Sequence, residues 1–298
     1  MTTPRIPLAL RPLGPDTPDV TSVAYGGMPL SIQGRPAEPD SLAVIRAVLD
    51  AGVTLIDTAN VYCLSDEDIG HNERLIARAL KSWSGPAESV LVATKGGLTR
   101  PQGRWERSGR PEDLRRACDR SLKALGVERI DLYQLHAPDP DVPLAETVGA
   151  IAELRREGKA RWVGLSNVSV DEIEQARAIV PIQTVQNRLN PFFREALREG
   201  VVEYCGANGI GFLAYSPVGG GRLNKKLPDH PVLAPIAARL GVSAHVVTLA
   251  WVLAQGSSVI VIPGGRTAEH ARDSLAASTL ELDPDDLAAI DQAEFSIA

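Results

Sequence analysis

The sequence predicts an α/β protein, a single (β/α)8 TIM barrel with residues 1–298 forming one domain, and three observations predict it. Short apolar runs alternate with longer segments of helical spacing, the pattern of βαβ units around a parallel sheet. The runs number eight, which suits a closed barrel of about this length. The stretch "AYGGMPLSIQG" (24–34) after the first run lacks the G-x-G-x-x-G that usually opens a doubly wound nucleotide-binding sheet.

The eight runs are "VTSVAY" (20–25), "VTLI" (53–56), "VLVAT" (90–94), "IDLYQL" (130–135), "RWVGLS" (161–166), "TVQ" (184–186), "GFLAY" (211–215) and "SVIVI" (258–262). Between them, apolar residues return at helical intervals. Leu42, Ile45, Val48 and Leu49 share one face, as do Leu75, Ile76, Ala79 and Leu80. Leu114, Cys118, Leu122 and Leu125 form a third stripe, and Ile151 with Leu154 continue the series. Val242–Ala254 is apolar enough to be a buried helix. The segment Leu8–Val20 is expected to form a hairpin closing the lower end of the barrel.

Composition narrows the function. Of 298 residues, 44% are hydrophobic and 23% charged, an ordinary globular balance. A net charge of −6 disfavours nucleic acid or an anionic membrane surface as partner, since both want a basic face. No apolar run reaches the ~18 residues needed to span a bilayer, and "MTTPRIPLALRPLGP" lacks the apolar core of a signal peptide. Cys63, Cys118 and Cys205 are an odd set without C-x-x-C spacing, which suits a reducing, cytoplasmic setting and no zinc site. The acidic run Asp66, Glu67, Asp68 lacks the register of a calcium loop and is expected to be solvated. No metal is expected, and the sequence is silent on oligomeric state.

In such a barrel, functional groups stand where strands end and the following loops begin. The second strand delivers Asp57, with Tyr62 in the loop beyond it. The third delivers Lys95 and the fourth His136. The fifth brings Ser166 and Asn167, the sixth Gln186 and Asn187, and the seventh Tyr215 and Ser216. A phenol is a weak acid at neutral pH. A cation within hydrogen-bond reach lowers an acid's pKa by about 1–3 units, so Lys95 is expected to pull Tyr62 down while Asp57 anchors the ammonium. His136 can donate to a substrate oxygen. The set suits protonating an alkoxide as it forms from a carbonyl.

Six segments, "DTANVY" (57–62), "TKGG" (94–97), "IDLYQLH" (130–136), "GLSN" (164–167), "AYSP" (214–217) and "IPGGRT" (262–267), resemble the successive signatures of the aldo-keto reductases, in order and over nearly the whole chain. The resemblance implies a (β/α)8 barrel that binds NADPH (NADP+) and reduces a small aldehyde or ketone. It implies Tyr62 as general acid, Lys95 and Asp57 as its tuning pair, and His136 as the residue orienting the carbonyl. Ser166, Asn167 and Gln186 match the positions that bond the nicotinamide carboxamide, and Tyr215 the ring that stacks on it. The loop holding Ser216, Pro217, Gly219 and Arg222 would cover the pyrophosphate. Arg266 would meet the 2′-phosphate, assisted by Gly264, Thr267 and His270 at the start of the last helix.

On the substrate side the candidates are Tyr25, Cys63, Trp105 and Ala137. Ala137 stands where some branches of the family carry Trp, which implies a wider pocket. Trp105, in the polar loop "LTRPQGRWERSGR" (98–110), either folds over the site as a lid or packs on its own loop. Two other functions stay open: an NADPH-binding regulatory subunit with little turnover, and an NAD(P)-linked alcohol or sugar dehydrogenase.

Overall fold

The computed structural model describes residues 8–298, so residues 1–7 of the expected domain lie outside it. Eight strands form one parallel sheet: β1 (Tyr25–Gly26), β2 (Leu55–Asp57), β3 (Leu91–Gly96), β4 (Ile130–Leu135), β5 (Ala160–Ser166), β6 (Thr184–Arg188), β7 (Gly211–Tyr215) and β8 (Val259–Val261). Each pairs with its neighbours in chain order. A parallel bridge between Val23 and Val261 joins the first strand to the last, reinforced by Ala24 N–H donating to Val261 O at 2.9 Å. The sheet therefore closes on itself, leaving no free edge.

Helices cover the outside. α1 (Glu38–Asp50), α2 (His71–Ser82), α3 (Pro111–Leu125), α4 (Leu144–Arg156) and α5 (Val170–Arg177) follow the first five strands. The apolar stripes read from the sequence are the faces they bury. Farther on come α6 (Val201–Ala207), α7 (Ala244–Leu253) and α8 (Ala268–Leu275). Every residue of α7 except His245 is buried, with Ser243 capping its start by accepting Val246 N–H. Among the described residues no single helix is long and apolar enough to cross a membrane.

Strand parity divides the apolar residues into two cores. Ala24, Leu55, Leu91, Ala93, Leu132, Trp162, Leu213 and Ile260 point into the barrel. Val23, Tyr25, Ile56, Val92, Tyr133, Val163, Val185, Phe212 and Val261 point outward under the helices. Successive side chains on a strand take opposite faces, so a single step along the chain decides which core a residue joins. Burying each large apolar side chain contributes about 1.5–3 kcal/mol.

The expected hairpin is present, pairing Leu10–Pro12 with Asp19–Thr21. It takes the first half of "VTSVAY", so the first barrel strand is shorter and later than predicted. The hairpin plugs the barrel floor: Leu13 and Val20 join the inner core, and Trp162 Nε1–H donates to Asp16 O at 3.1 Å. The loop 98–110 also contains an unpredicted hairpin, Leu98–Thr99 against Glu106–Arg107. It stands above the opposite, C-terminal end of the strands.

Candidate active site

Inward parity at the C-terminal ends of β2, β3 and β4 brings Asp57, Lys95 and His136 to one place. Lys95 is fully buried and Asp57 only 2% exposed. The Lys95 ammonium donates three hydrogen bonds, to Asp57 Oδ1 at 2.5 Å, Thr58 O at 2.8 Å and Tyr62 OH at 3.0 Å. All three of its protons are used. The Tyr62 oxygen accepts from Lys95, which leaves its own O–H directed elsewhere. His136 meets Tyr62 edge to face, ring centroids 5.8 Å apart at 84°. Its Nδ1 is buried without a partner.

The electrostatics differ from the expectation in one respect. Burial raises the Tyr62 phenol, and the Lys95 charge, though it pulls downward, does not overcome it. The closed environment outweighs the cation, so Tyr62 holds its proton above the usual tyrosine range. Burial lowers the Lys95 ammonium, but Asp57 and Tyr62 outweigh that and hold it above the ordinary lysine value. His136 falls well below the usual histidine value, through burial first and then the charges of Lys95 and Arg107. Its imidazole is therefore neutral at physiological pH.

Beneath these groups lies a layer in which Gln186 is joined by Gln134, Gly164 and Asn72, three residues the sequence reading did not single out. Gln134, inward on β4 two residues before His136, donates to Asp57 Oδ2 at 3.2 Å, and Gln186 donates to the same oxygen at 2.8 Å. Gly164 on β5 makes room for this layer, since a Cβ there would come 2.9 Å from Gln134 Cγ. Buried Asn72 on α2 accepts from Thr58 Oγ1 and donates to Gly27 O and Ser31 Oγ. It thereby fixes the strand ends flanking Asp57.

Toward β5–β7, Ser166 Oγ donates to Gln186 O at 2.7 Å. Asn167 donates to His136 O at 2.9 Å and accepts from Tyr215 OH at 2.7 Å. Asn167 and Ser216 hold positive φ, 60° and 48°, a strain tolerated chiefly at functional sites. Ser166 and Gln186 are thus joined to each other and to Asp57. Beyond β7, Gly219 and Gly220 also take positive φ, and nothing lies within 4 Å of a Cβ built on Gly221. Open backbone at Gly220 and Gly221, beyond Tyr215, fits the approach of a dinucleotide, whereas a Cβ on Gly219 would meet Leu223 Cβ at 2.8 Å. Pro217 is buried.

Other candidates are engaged by the protein. Arg222 bonds Ile297 O. Arg266 reaches Pro29 O at 3.2 Å and Gln33 O at 2.8 Å. Thr267 caps α8 by accepting His270 N–H at 3.2 Å. Gly264 lets its loop approach, since a Cβ there would meet Gly26 O at 2.8 Å.

Three substrate candidates are corrected. Tyr25 follows inward Ala24, so it faces the helices, where its hydroxyl donates to Gly265 O at 2.7 Å. Cys63 is fully buried, donates to Val61 O, and burial pushes its thiol up to about 11, so it is neither a pocket wall nor an oxidation-prone thiolate. Ala137 follows inward His136 and is fully buried. The acidic run is solvated as expected at Asp66 and Glu67, and Asp68, partly exposed, pairs with Arg35 at 2.5 Å.

Trp105 stays, as the roof. It is 46% exposed and meets Tyr62 and His136 edge to face at 6.3 and 6.2 Å. Arg100, 1% exposed, stacks on it at 4.0 Å and donates to Cys63 O at 3.1 Å.

Residues 22–294 match the Aldo/keto reductase family. A Glycine max protein described as "Probable aldo-keto reductase 1" is 34% identical over 310 residues, covering 94% of this chain and 87% of that protein. Among solved structures, a thermostable aldo-keto reductase bound to the inhibitor epalrestat superposes with a TM-score of 0.80 at 28% identity, over 95% of this chain and 99% of that one. A glycerol dehydrogenase from Gluconobacter oxydans gives 0.81 at 28% identity, over 95% and 93%.

Proposed function

The chain belongs to the aldo/keto reductase family, making it an NAD(P)H-dependent oxidoreductase of small carbonyl compounds, and from that premise we propose that it reduces an aldehyde or ketone with NADPH, using Tyr62 as proton donor. One observation carries the reading: the Lys95 ammonium lies 3.0 Å from the Tyr62 oxygen while bound to Asp57. The edge-to-face contact of Tyr62 and His136 sets a phenol beside an imidazole, which supports binding of a carbonyl oxygen against both. Orphaned buried N–H groups are rarer than orphaned acceptors, so the bare Nδ1 of His136 favours a proton on Nε2. That N–H then donates to the carbonyl oxygen and orients it.

When bound, NADPH supplies the hydride. The glycine-lined loop 216–222 and the face of Tyr215 would hold it, with Asn167, Ser166 and Gln186 near its carboxamide. As negative charge develops on the substrate oxygen, Tyr62 donates its phenolic proton to that oxygen. The phenolate left behind is stabilised by Lys95, whose charge Asp57 keeps in place. The roof of Trp105 excludes water from this exchange. For NADPH over NADH the supporting feature is Arg266, fixed beside the start of α8 with Nη1 free of the carbonyl contacts. Three free cysteines support a reducing, cytoplasmic setting.

Tyr62→Phe tests the reading. It should keep NADPH binding, measured by fluorescence titration, and lose most turnover on a panel of aldehydes. Undiminished reduction by that variant would end the assignment of Tyr62. The resemblance to a glycerol dehydrogenase favours alcohol oxidation as the second reading, with the same residues run in reverse.

A further inference from the structure

The chain carries a net charge of −6, yet two arginines, Arg107 and Arg188, stand at the mouth of the barrel without an ion-pair partner among the described residues. Arg188 is the third inward residue of β6, after Thr184 and Gln186, and lies opposite Tyr215 in the register. Its guanidinium rests 3.5 Å over the ring of Phe193, which holds it at the rim. Arg107 comes from the roof hairpin. It is the direct cross-strand partner of Leu98, and Leu98 packs on the cluster containing Tyr62. Directly opposed residues share a face, so Arg107 faces the site, as does Trp105 two residues before it.

Among the described residues neither guanidinium is ion-paired. Of the roof carboxylates, Glu106 pairs with Arg104 at 3.0 Å and Asp113 with Arg116, while Asp139, held by Gly109 N–H and Asp141 N–H, and Asp141 share a cleft with Arg107 without forming an ion pair with it. Both arginine charges reach the site. Burial raises the Tyr215 phenol and Arg188 and Arg107 pull against it, while Arg107 adds to the depression of His136. Asp57, the carboxylate within, is already matched by Lys95.

We propose that the mouth receives the anionic end of the carbonyl substrate, a carboxylate held between Arg107 and Arg188 while its C=O lies between Tyr62 and His136. The inference rests on the reductase reading. A guanidinium presents paired donors to such an oxyanion, and two of them at the exposed rim select for charge as well as bind it. The same chemistry could instead serve a phosphate of the dinucleotide, which the test separates.

Matched probes are 4-carboxybenzaldehyde and its neutral counterpart methyl 4-formylbenzoate. The wild type should prefer the acid in kcat/KM, more so at low ionic strength. The double variant Arg107→Met/Arg188→Met should lower the acid-to-ester ratio by about 10-fold or more, the effect of one charge-assisted contact. An unmoved ratio overturns the proposal. Equal losses on both aldehydes with a weakened Kd for NADPH also overturn it, by assigning the guanidiniums to the cofactor. Calorimetry of benzoate against benzamide on the NADP+ complex reads the anion site without turnover. Arginine-dependent benzoate binding in a protein that reduces neither aldehyde keeps the anion site and sinks the reductase reading. No preference for benzoate sinks the anion site itself.

Discussion

Lys95 and Asp57 are joined at 2.5 Å in a place where the lysine has no exposed surface and the aspartate almost none. Such a pair is costly to break from one side, because the remaining charge is left buried and unpaired. Lys95→Met should therefore lose stability by about 3–5 kcal/mol, along with turnover. Adding Asp57→Asn removes the stranded charge and should recover much of the stability and none of the turnover. Urea unfolding of both variants checks this, and a single variant as stable as the wild type would show that the pair contributes no such coupling.

The pH profile should lack a histidine limb. His136 is held well below its ordinary 6.5, so it is neutral across the neutral range, and Tyr62 is held above 10.0, so it keeps its proton there. Reductive kcat/KM should stay flat over roughly pH 6.5–9. The same depression has a thermodynamic consequence on the acid side. An unfolded chain takes up a proton near 6.5 that folded His136 refuses, so stability is intact above that value and falls as pH drops toward the lowered one. A catalytic limb near 6.5 that His136→Gln abolishes would contradict the neutral imidazole.

Much of this site could be read from strand ends alone, because a polar residue directly after an apolar run in a barrel has few other places to go. Asp57, Lys95 and His136 are such residues, and Tyr62 followed from the first of them. Parity explains the misses. Tyr25 lies one residue away from inward Ala24 and so joins the outer core, and Ala137, past the strand end, is fully buried. Gln134 sits inside the run "IDLYQL", where a polar residue passes as strand body. Counting two back from His136 would have found it. Arg100 shares its polar loop with Arg104, Arg107 and Arg110. Only the tertiary fold separates a buried arginine from exposed ones.

That buried arginine should govern the roof. Arg100→Met removes the stacking partner of Trp105 and the bond to Cys63 O while keeping most of the side-chain volume. KM for bulky aromatic aldehydes should rise several-fold, roughly the loss of one contact of 1–2 kcal/mol, with small aldehydes less affected. Arg100→Lys should restore little, since an ammonium lacks the planar face that stacks. Steady-state kinetics on both substrate sizes reads the difference, and equal effects on the two would mean Trp105 is held by something else.

The glycine of β5 offers a test of the layer under the site. A Cβ at Gly164 would approach Thr184 Oγ1 to 2.3 Å and Gln134 Cγ to 2.9 Å, so Gly164→Ala overpacks the barrel and should cost about 1–3 kcal/mol. Thr184 Oγ1 is buried without a hydrogen-bond partner, so Thr184→Ala removes the closer obstruction and breaks no bond. The two changes should therefore be strongly non-additive, the double variant regaining most of the stability lost by the first. Gln134 would still be crowded, and its 3.2 Å bond to Asp57 would still be weakened. Turnover should recover less than stability. If the losses add, or if activity returns in full with stability, then Gln134 does not position Asp57, and the layer is only packing.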